Sequence, residues 1–454
     1  MAKKAVITIL GTIGGKIDKI TGRFIYNSEI KPSLYYSTTL EEFQNKIKDI
    51  NMFPILISTY GTKGYSIIPI YTKAAYEIQK EVLKNKGFPE EEINKIFSQG
   101  YLIENENDFS QIFSIIDDAI YSYARVIIDI THGFRHFPVL MIIDAIMHNI
   151  KNSKKIEKVL FAKEKKKPSL DKGGEYEIIN LFDYLDLANL SFIIKNFKEN
   201  FTISKNIEIR NPIFKELKRT LNEFSWDIMA LSIRNCKEKS YPALIEAIEN
   251  IKNRSEIYLL KRDLQDLEDY IISLFSTFES LPEYESYIYL AKEFNKKNYL
   301  LQSITIINEA KLIYLREKIK EISEDVYKYI EEIQAKIEAY GEWEPSGRLN
   351  YYELHKEIKD LYFKSIEYRK GKKIDCEKLA KNNYLIQNTE IIKQIIEKIE
   401  PRSSFTKYLL SDLRNNLAHA NINIKTIENV KHSISSEIAT LENFINDDIP
   451  RINI

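Results

Sequence analysis

Cysteine is nearly missing from this chain. Cys236 and Cys376 are the only two, too few for a disulfide framework or a multi-thiolate zinc cluster. Glycine and proline are also scarce, 14 and 12 among 454 residues, which disfavours long irregular stretches and favours helix. No apolar run reaches the length of a membrane span; the best candidate, Val139 to Met147, is interrupted by Asp144. The Met1-Ala-Lys-Lys start leads into a β-like run too short for a signal-peptide core. An excess of charge of one sign is missing too: 66 basic residues face 66 acidic ones. The broad basic surface of a protein that coats nucleic acid is therefore not expected. These absences point to a cytoplasmic chain with no membrane partner, acting on any nucleic acid at a local site.

What is present is an ordinary globular mixture, 44% apolar and 29% charged, long enough for two or three cored domains. The first 185 or so residues alternate strand-like and helix-like segments, the pattern of an α/β domain with a mainly parallel sheet. Ala5–Leu10, Pro54–Thr59 and Val126–Ile130 read as short buried strands, and 157–162 as a later one. Helices are expected over about 70–86, 109–122 and 136–150. The basic run Lys163–Lys167 with Gly173-Gly174 reads as a solvated hairpin loop.

From about residue 186 the apolar residues recur every three or four positions, the helical period. Leu300, Ile304, Ile307 and Leu312 mark one helix. Ile424, Ile427, Val430, Ile434, Ile438, Leu441 and Ile445 mark a long C-terminal one. Phe201–Pro212 is a plausible boundary, and Gly341–Gly347 the clearest loop beyond it. The expected architecture is α/β followed by all-α: a Rossmann-like domain over 1–185, a linker helix over 186–210 and a helical domain over 211–454.

The helical half carries Arg414-Asn-Asn-Leu-Ala-His419 after an apolar stripe of Phe405, Leu409, Leu413 and Leu417. Five positions on a regular helix span about 500°, leaving the Arg and His side chains ~140° apart. Either the helix ends between them, or the working site is composite and draws on two subunits. Both options suit RNA cleavage without metal, in which the substrate's own 2′-hydroxyl attacks the adjacent phosphate. His419 would move protons near neutral pH, Arg414 would neutralise charge on the phosphorane, and Asn415 would orient phosphate or imidazole. The bland alternative is a helix-closing Arg414 and a surface His419.

The α/β half carries Asp129-Ile-Thr-His-Gly-Phe-Arg-His-Phe-Pro138 between a buried strand and a helix. Open α/β sheets bind ligands in such loops, at the carboxyl ends of strands and facing helix N-termini. Gly133 permits close backbone approach, while Thr131, His132 and Arg135 suit an anionic nucleotide. Gly11-Thr-Ile-Gly-Gly-Lys16 and Thr59-Tyr-Gly-Thr-Lys-Gly64 leave the first two expected strands and combine the same residue types. Neither is a P-loop or a GxGxxG fingerprint, which sets hydride transfer aside; both could be ordinary strand-to-helix turns.

The C-terminal motif resembles the Arg-x4–6-His signature of HEPN ribonucleases, and the Asp129–Pro138 stretch resembles the CARF domain of type III CRISPR effectors. Together the resemblances span essentially the whole chain. They imply a homodimer that senses cyclic oligoadenylate and no other cofactor or metal; the ring size is left open by the sequence, with tetra-adenylate expected ahead of hexa-adenylate. They also imply an endoribonuclease cutting single-stranded RNA to 2′,3′-cyclic phosphate ends. Arg414, His419 and Asn415 are then the catalytic candidates. Gly11, Thr12, Thr59, Lys63, Thr131, His132, Gly133 and Arg135 are the ligand-binding ones. Two rivals stand beside this. The sensor could cleave its own activator, with Thr131 and His132 as its tools, or the helical half could serve only as a dimerisation or partner module.

Other polar residues read as structural. Asp144 and His148 stand four apart on an expected helix but show no third metal ligand in the sequence. They read as a surface or helix-packing pair. His136 faces ligand or caps the following helix, and His355 and His432 sit in charged helical stretches. The aromatics form no regular stacking platform.

Overall fold

The computed structural model describes residues 3–20, 22, 24–133, 136–169, 172–253, 261–280, 282–325, 327–328, 417 and 424–448. Two compact units divide the chain: Met1–Ser225 with Ala243–Leu264, and Trp226–Pro242 with Gln265–Ile454. Among the described residues no helix is long and apolar enough to cross a membrane.

The first unit is built on an eight-stranded, mostly parallel sheet. Its strands are β1 (Lys4–Ile9), β4 (Ser33–Tyr36), β5 (Ile47–Asp49), β6 (Ser66–Thr72), β7 (Tyr101–Ile103), β8 (Arg125–Asp129), β9 (Ile156–Lys166) and β10 (Glu175–Asn180). Their order is β5-β4-β10-β9-β8-β1-β6-β7. A separate hairpin pairs β2 (Gly15–Ile17) with β3 (Phe24–Tyr26). The block β9-β8-β1-β6-β7 is parallel throughout, while β10 runs antiparallel to β9. After β1 the chain lays β4 and β5 at the far edge, beyond β10; within the parallel block it then adds β6 and β7 on one side of β1 and β8 and β9 on the other, so the order reverses between β1 and β8. Ligands of open α/β sheets bind at the carboxyl ends of strands beside such a reversal.

Alternation along each strand sorts the core into two faces. Val6, Ile67 and Ile127 pack with the helices α1 (Met52–Tyr60), α2 (Lys73–Asn85) and α3 (Glu90–Ser98). Ile7, Ile9, Ile68 and Ile128 pack with α4 (Phe109–Tyr121), α5 (His136–Lys151) and the start of α6 (Phe182–Asn200). Full burial on both faces explains why these strands read as continuous apolar runs.

Three expectations are corrected. Pro54–Thr59 is not a strand but lies within α1. Asn51 caps that helix by accepting from the Phe53 amide at 3.0 Å. Pro54 sits in the first turn, where a missing N–H costs nothing. Because seven of the nine residues of α1 are buried, no helical period survives in its sequence. The helix expected from residue 70 begins instead at Lys73, capped by the Thr72 hydroxyl, and β6 precedes it. Pro69 is tolerated inside β6 because Ile70 turns its carbonyl to Leu10 of the β1 side. The nitrogen of Pro69 therefore points toward β7, whose pairing begins only at Ile70. Finally, Lys163–Lys166 extend β9 rather than forming a loop.

No strand occurs after β10 among the described residues. The linker segment is α6 followed by an irregular stretch to Asn211, and α7 (Pro212–Met229) starts at the expected proline. In the second unit, helix Ile424–Asp448 buries Val430, Ile434 and Ile438. It meets helix Glu283–Lys296 through Asn295 Nδ2, which donates to Ser435 Oγ at 2.9 Å. Ile427, expected on that buried stripe, is 42% exposed.

Candidate ligand-binding site

The site grows from the carboxyl ends of β1 and β8. Thr8, near the end of β1, donates its hydroxyl to Asp129 Oδ2 at 2.7 Å. The other carboxylate oxygen accepts from the Thr131 amide at 3.2 Å and the Thr131 hydroxyl at 2.5 Å. Thr131 Oγ1 in turn accepts from the Ala162 amide of β9 at 3.0 Å. Burial pushes the Asp129 carboxyl up, against the hydrogen bonds from Thr131 and Thr8 that pull it down. Asp129 and Thr131 therefore brace the ends of β1 and β8 against the middle of β9.

Above this brace the two loops touch. A methyl group on Gly11 would lie 3.0 Å from the Gly133 nitrogen. One on Gly133 would lie 2.4 Å from Ile9 Cγ2, and Gly133 has φ +99°. Only glycine meets both conditions, close contact and a left-handed backbone. Between the loops sits His132, 8% exposed, whose Nε2 accepts from the Met52 amide at 3.1 Å. An accepting Nε2 places the ring proton on Nδ1. Burial holds this imidazole down to about 4, so it is neutral at physiological pH.

Asn51 and Gln79 hold the first loop from behind. Gln79 Nε2 donates to the carbonyls of Gly11 (2.8 Å) and Ile13 (3.0 Å). Asn51 Nδ2 donates to Gln79 Oε1 (2.9 Å) and to Ile13 (3.2 Å). Sequence reasoning missed both. Their signals were a capping Asn three positions before a proline and a polar residue on the buried face of α2 between Ala75 and Leu83.

Gly11, Thr12, Thr131, His132 and Gly133 are thus brought to one edge, with all but His132 half-buried. The start of α5 lies three residues past Gly133, adding a positive helix end. A glycine-lined edge beside a helix N-terminus suits an anion. Thr59 and Lys63 do not join it. They lie at the C-terminal end of α1 and just beyond it, beside Ser66 where β6 begins. The length of β6 separates them from the carboxyl edge, roughly 20 Å at about 3.3 Å per residue. His136 is turned aside, with Nε2 3.1 Å from the Glu106 carbonyl and its ring edge-on to Phe109. Arg135, Arg414, Asn415 and His419 lie outside the described residues.

Two further features belong to this unit. A cavity of about 420 Å³ opens between α5, β8–β10 and α6, lined by side chains such as Met141, Ala145, Val159, Phe161 and Leu185. Its lining is nearly all carbon and offers a nucleotide little to bond. The other corrects the reading of Asp144 and His148 as a pair without a third partner. Both are buried, and Asp117 of α4 completes a cluster with them.

No family model matches the chain, and no curated protein does. Among solved structures the chain is similar to Enterococcus italicus Csm6 bound to cyclic hexa-2′-fluoro-hexa-dAMP. That similarity is at 10% identity over 97% of this chain and 100% of that one, with a TM-score of 0.32. Likeness at that level carries neither fold nor function from one chain to the other.

Proposed function

We propose that this chain is a ribonuclease switched on by cyclic oligoadenylate. The observation that carries the sensing half is the Gly11–Gly133 contact at the strand-order reversal, where half-buried glycine backbone and a helix N-terminus meet. A phosphodiester ring needs such close, non-bulky walls, and the Asp129–Pro138 sequence is the stretch that resembles a CARF domain. Gly11, Thr12, Gly133 and Arg135 line the ligand, with His132 as a neutral partner. Thr59 and Lys63 are no longer part of the proposed site. In a homodimer the ring lies across the two-fold axis.

The catalytic half rests on the Arg414–His419 motif and its HEPN resemblance. His419 moves the proton from the attacking 2′-hydroxyl and to the leaving 5′-oxygen, Arg414 offsets phosphorane charge, and Asn415 orients one of them. No metal is required by this route. Ligand must bind the active arrangement more tightly than the resting one for the switch to work.

Cleavage of the activator by the sensor itself is the weaker reading. The Thr131 hydroxyl donates to Asp129 and accepts from Ala162, and His132 Nε2 is engaged by Met52. Neither is poised to take a proton from a ribose.

The test is RNA cleavage in EDTA, without activator and then with cyclic tetra- or hexa-adenylate, comparing wild type with His419→Ala. Cleavage that needs one ring and vanishes in the variant supports sensor and active site together. No cleavage with either ring, despite stoichiometric ring binding, would turn the helical half into an interaction module. Ring loss by the His419→Ala protein would restore the self-limiting reading.

A further inference from the structure

Asp117, Asp144 and His148 meet between α4 and α5, with one ligand atom from each lying within 4.8 Å of the others. His148 Nε2 is 2.8 Å from Asp117 Oδ1 and 3.5 Å from Asp144 Oδ2. His148 is 5% exposed and Asp144 has no exposed surface at all. Neither carboxylate oxygen of Asp144 has a hydrogen-bond partner. A buried carboxylate left in that state is costly, and native structures rarely tolerate one without a reason. The single Nε2 proton of His148 serves Asp117 at the short distance, so Asp144 faces the imidazole with nothing to accept. Asp117 is 46% exposed and opens the cluster to solvent on one side.

We propose that these three side chains bind one divalent transition-metal ion, Zn²⁺ by preference, clipping α4 to α5. Two carboxylates balance a doubly charged cation, and the metal takes the place of the proton on Nε2. One nitrogen and two oxygens, with a fourth position open toward solvent at Asp117, match the three-protein-ligand pattern of zinc. The nitrogen donor disfavours Mg²⁺ and Ca²⁺, which take oxygen. Tetrahedral bonds near 2.1 Å put donor atoms about 3.4 Å apart, so small side-chain rotations suffice. Asp144 and His148 are one helical turn apart on α5, which presents both to the same ion. Lys151 and Lys155 lie within electrostatic reach of Asp144 and Asp117 without bonding either carboxylate, and Lys155 donates to the Tyr121 carbonyl at 2.9 Å.

The site is separate from the glycine-lined edge and from the Arg414–His419 motif, and its test does not need either. The full chain, stripped with chelator, is titrated with Co²⁺ and Zn²⁺. Saturable uptake of one equivalent, with visible Co²⁺ absorption bleached by Zn²⁺, is expected. Asp117→Asn should weaken uptake at least about ten-fold, the loss that even an outer-shell change brings. Asp118→Asn, on the adjoining exposed position, should leave it unchanged. Absence of saturable uptake by the wild-type chain overturns the proposal whatever the variants do. So does an equal loss in both variants, which would mark loose carboxylate binding.

Discussion

The Thr8 hydroxyl donates a 2.7 Å hydrogen bond to Asp129 across 121 positions of sequence, joining the ends of β1 and β8 inside the protein. With the two bonds from Thr131 it gives one buried carboxylate three donors, one from β1 and two from the loop after β8. The glycine edge sits on this brace, so the geometry of the site depends on it.

Asp129→Ala leaves those donors without an acceptor, and each unsatisfied buried group costs about 1–3 kcal/mol. A loss of roughly 3–5 kcal/mol is expected in denaturant unfolding. Asp129→Asn keeps an acceptor for Thr131, and the Thr8 hydroxyl can rotate to accept, so it should cost less than half as much. Equal losses would mean that volume rather than hydrogen bonding is what matters there.

Gly133→Ala forces a side chain into a left-handed backbone and against Ile9. The expected cost is about 2 kcal/mol of stability. Cyclic tetra-adenylate affinity should fall at least ten-fold in calorimetry, beyond what the unfolded fraction explains. Unchanged affinity would remove Gly133 from the ligand wall.

His132 makes stability depend on pH. Its folded value of about 4 lies below the ordinary 6.5, so the unfolded chain binds the proton more readily. The contribution is fully present above pH 6.5 and is lost as pH falls from there toward 4. Over that window it amounts to roughly 3 kcal/mol at most. His132→Gln, which can still accept from Met52, should flatten the melting-temperature profile between pH 6.5 and 4. An unchanged slope would assign the acid sensitivity to other groups.

Gln79→Leu removes the two bonds that hold the Gly11 and Ile13 carbonyls. Amide exchange over residues 11–15 should quicken while the α4 and α5 amides keep their protection. Protection unchanged at the loop would show that Asn51 alone suffices.

Thr59→Ala and Lys63→Ala lie at the opposite end of the sheet from the glycine edge. Both should leave cyclic tetra-adenylate affinity within about two-fold, a change near the size of ordinary surface effects. A ten-fold loss in either would place ligand where the fold does not.

Much of this protein is legible along the chain. The runs at β1 and β8, the helices that begin at Phe109 and His136, the glycines at 11 and 133 and the helical period beyond residue 186 are local signals. Each is set by residues a few positions apart, through capping, alternation or a turn that only glycine makes. Where burial left almost no polar face, as in α1, the local pattern was erased and Pro54–Thr59 read as a strand.

Sequence alone determined that an α/β unit with a phosphate-suited loop precedes a helical half bearing an Arg–His pair. Tertiary structure decided which loops meet. Strand order put Gly11 beside Gly133 and left Thr59 and Lys63 at the far edge, and helix packing supplied Asp117 to Asp144 and His148. Those outcomes depend on pairing between segments tens to more than a hundred residues apart, and no periodicity in the intervening sequence encodes that pairing.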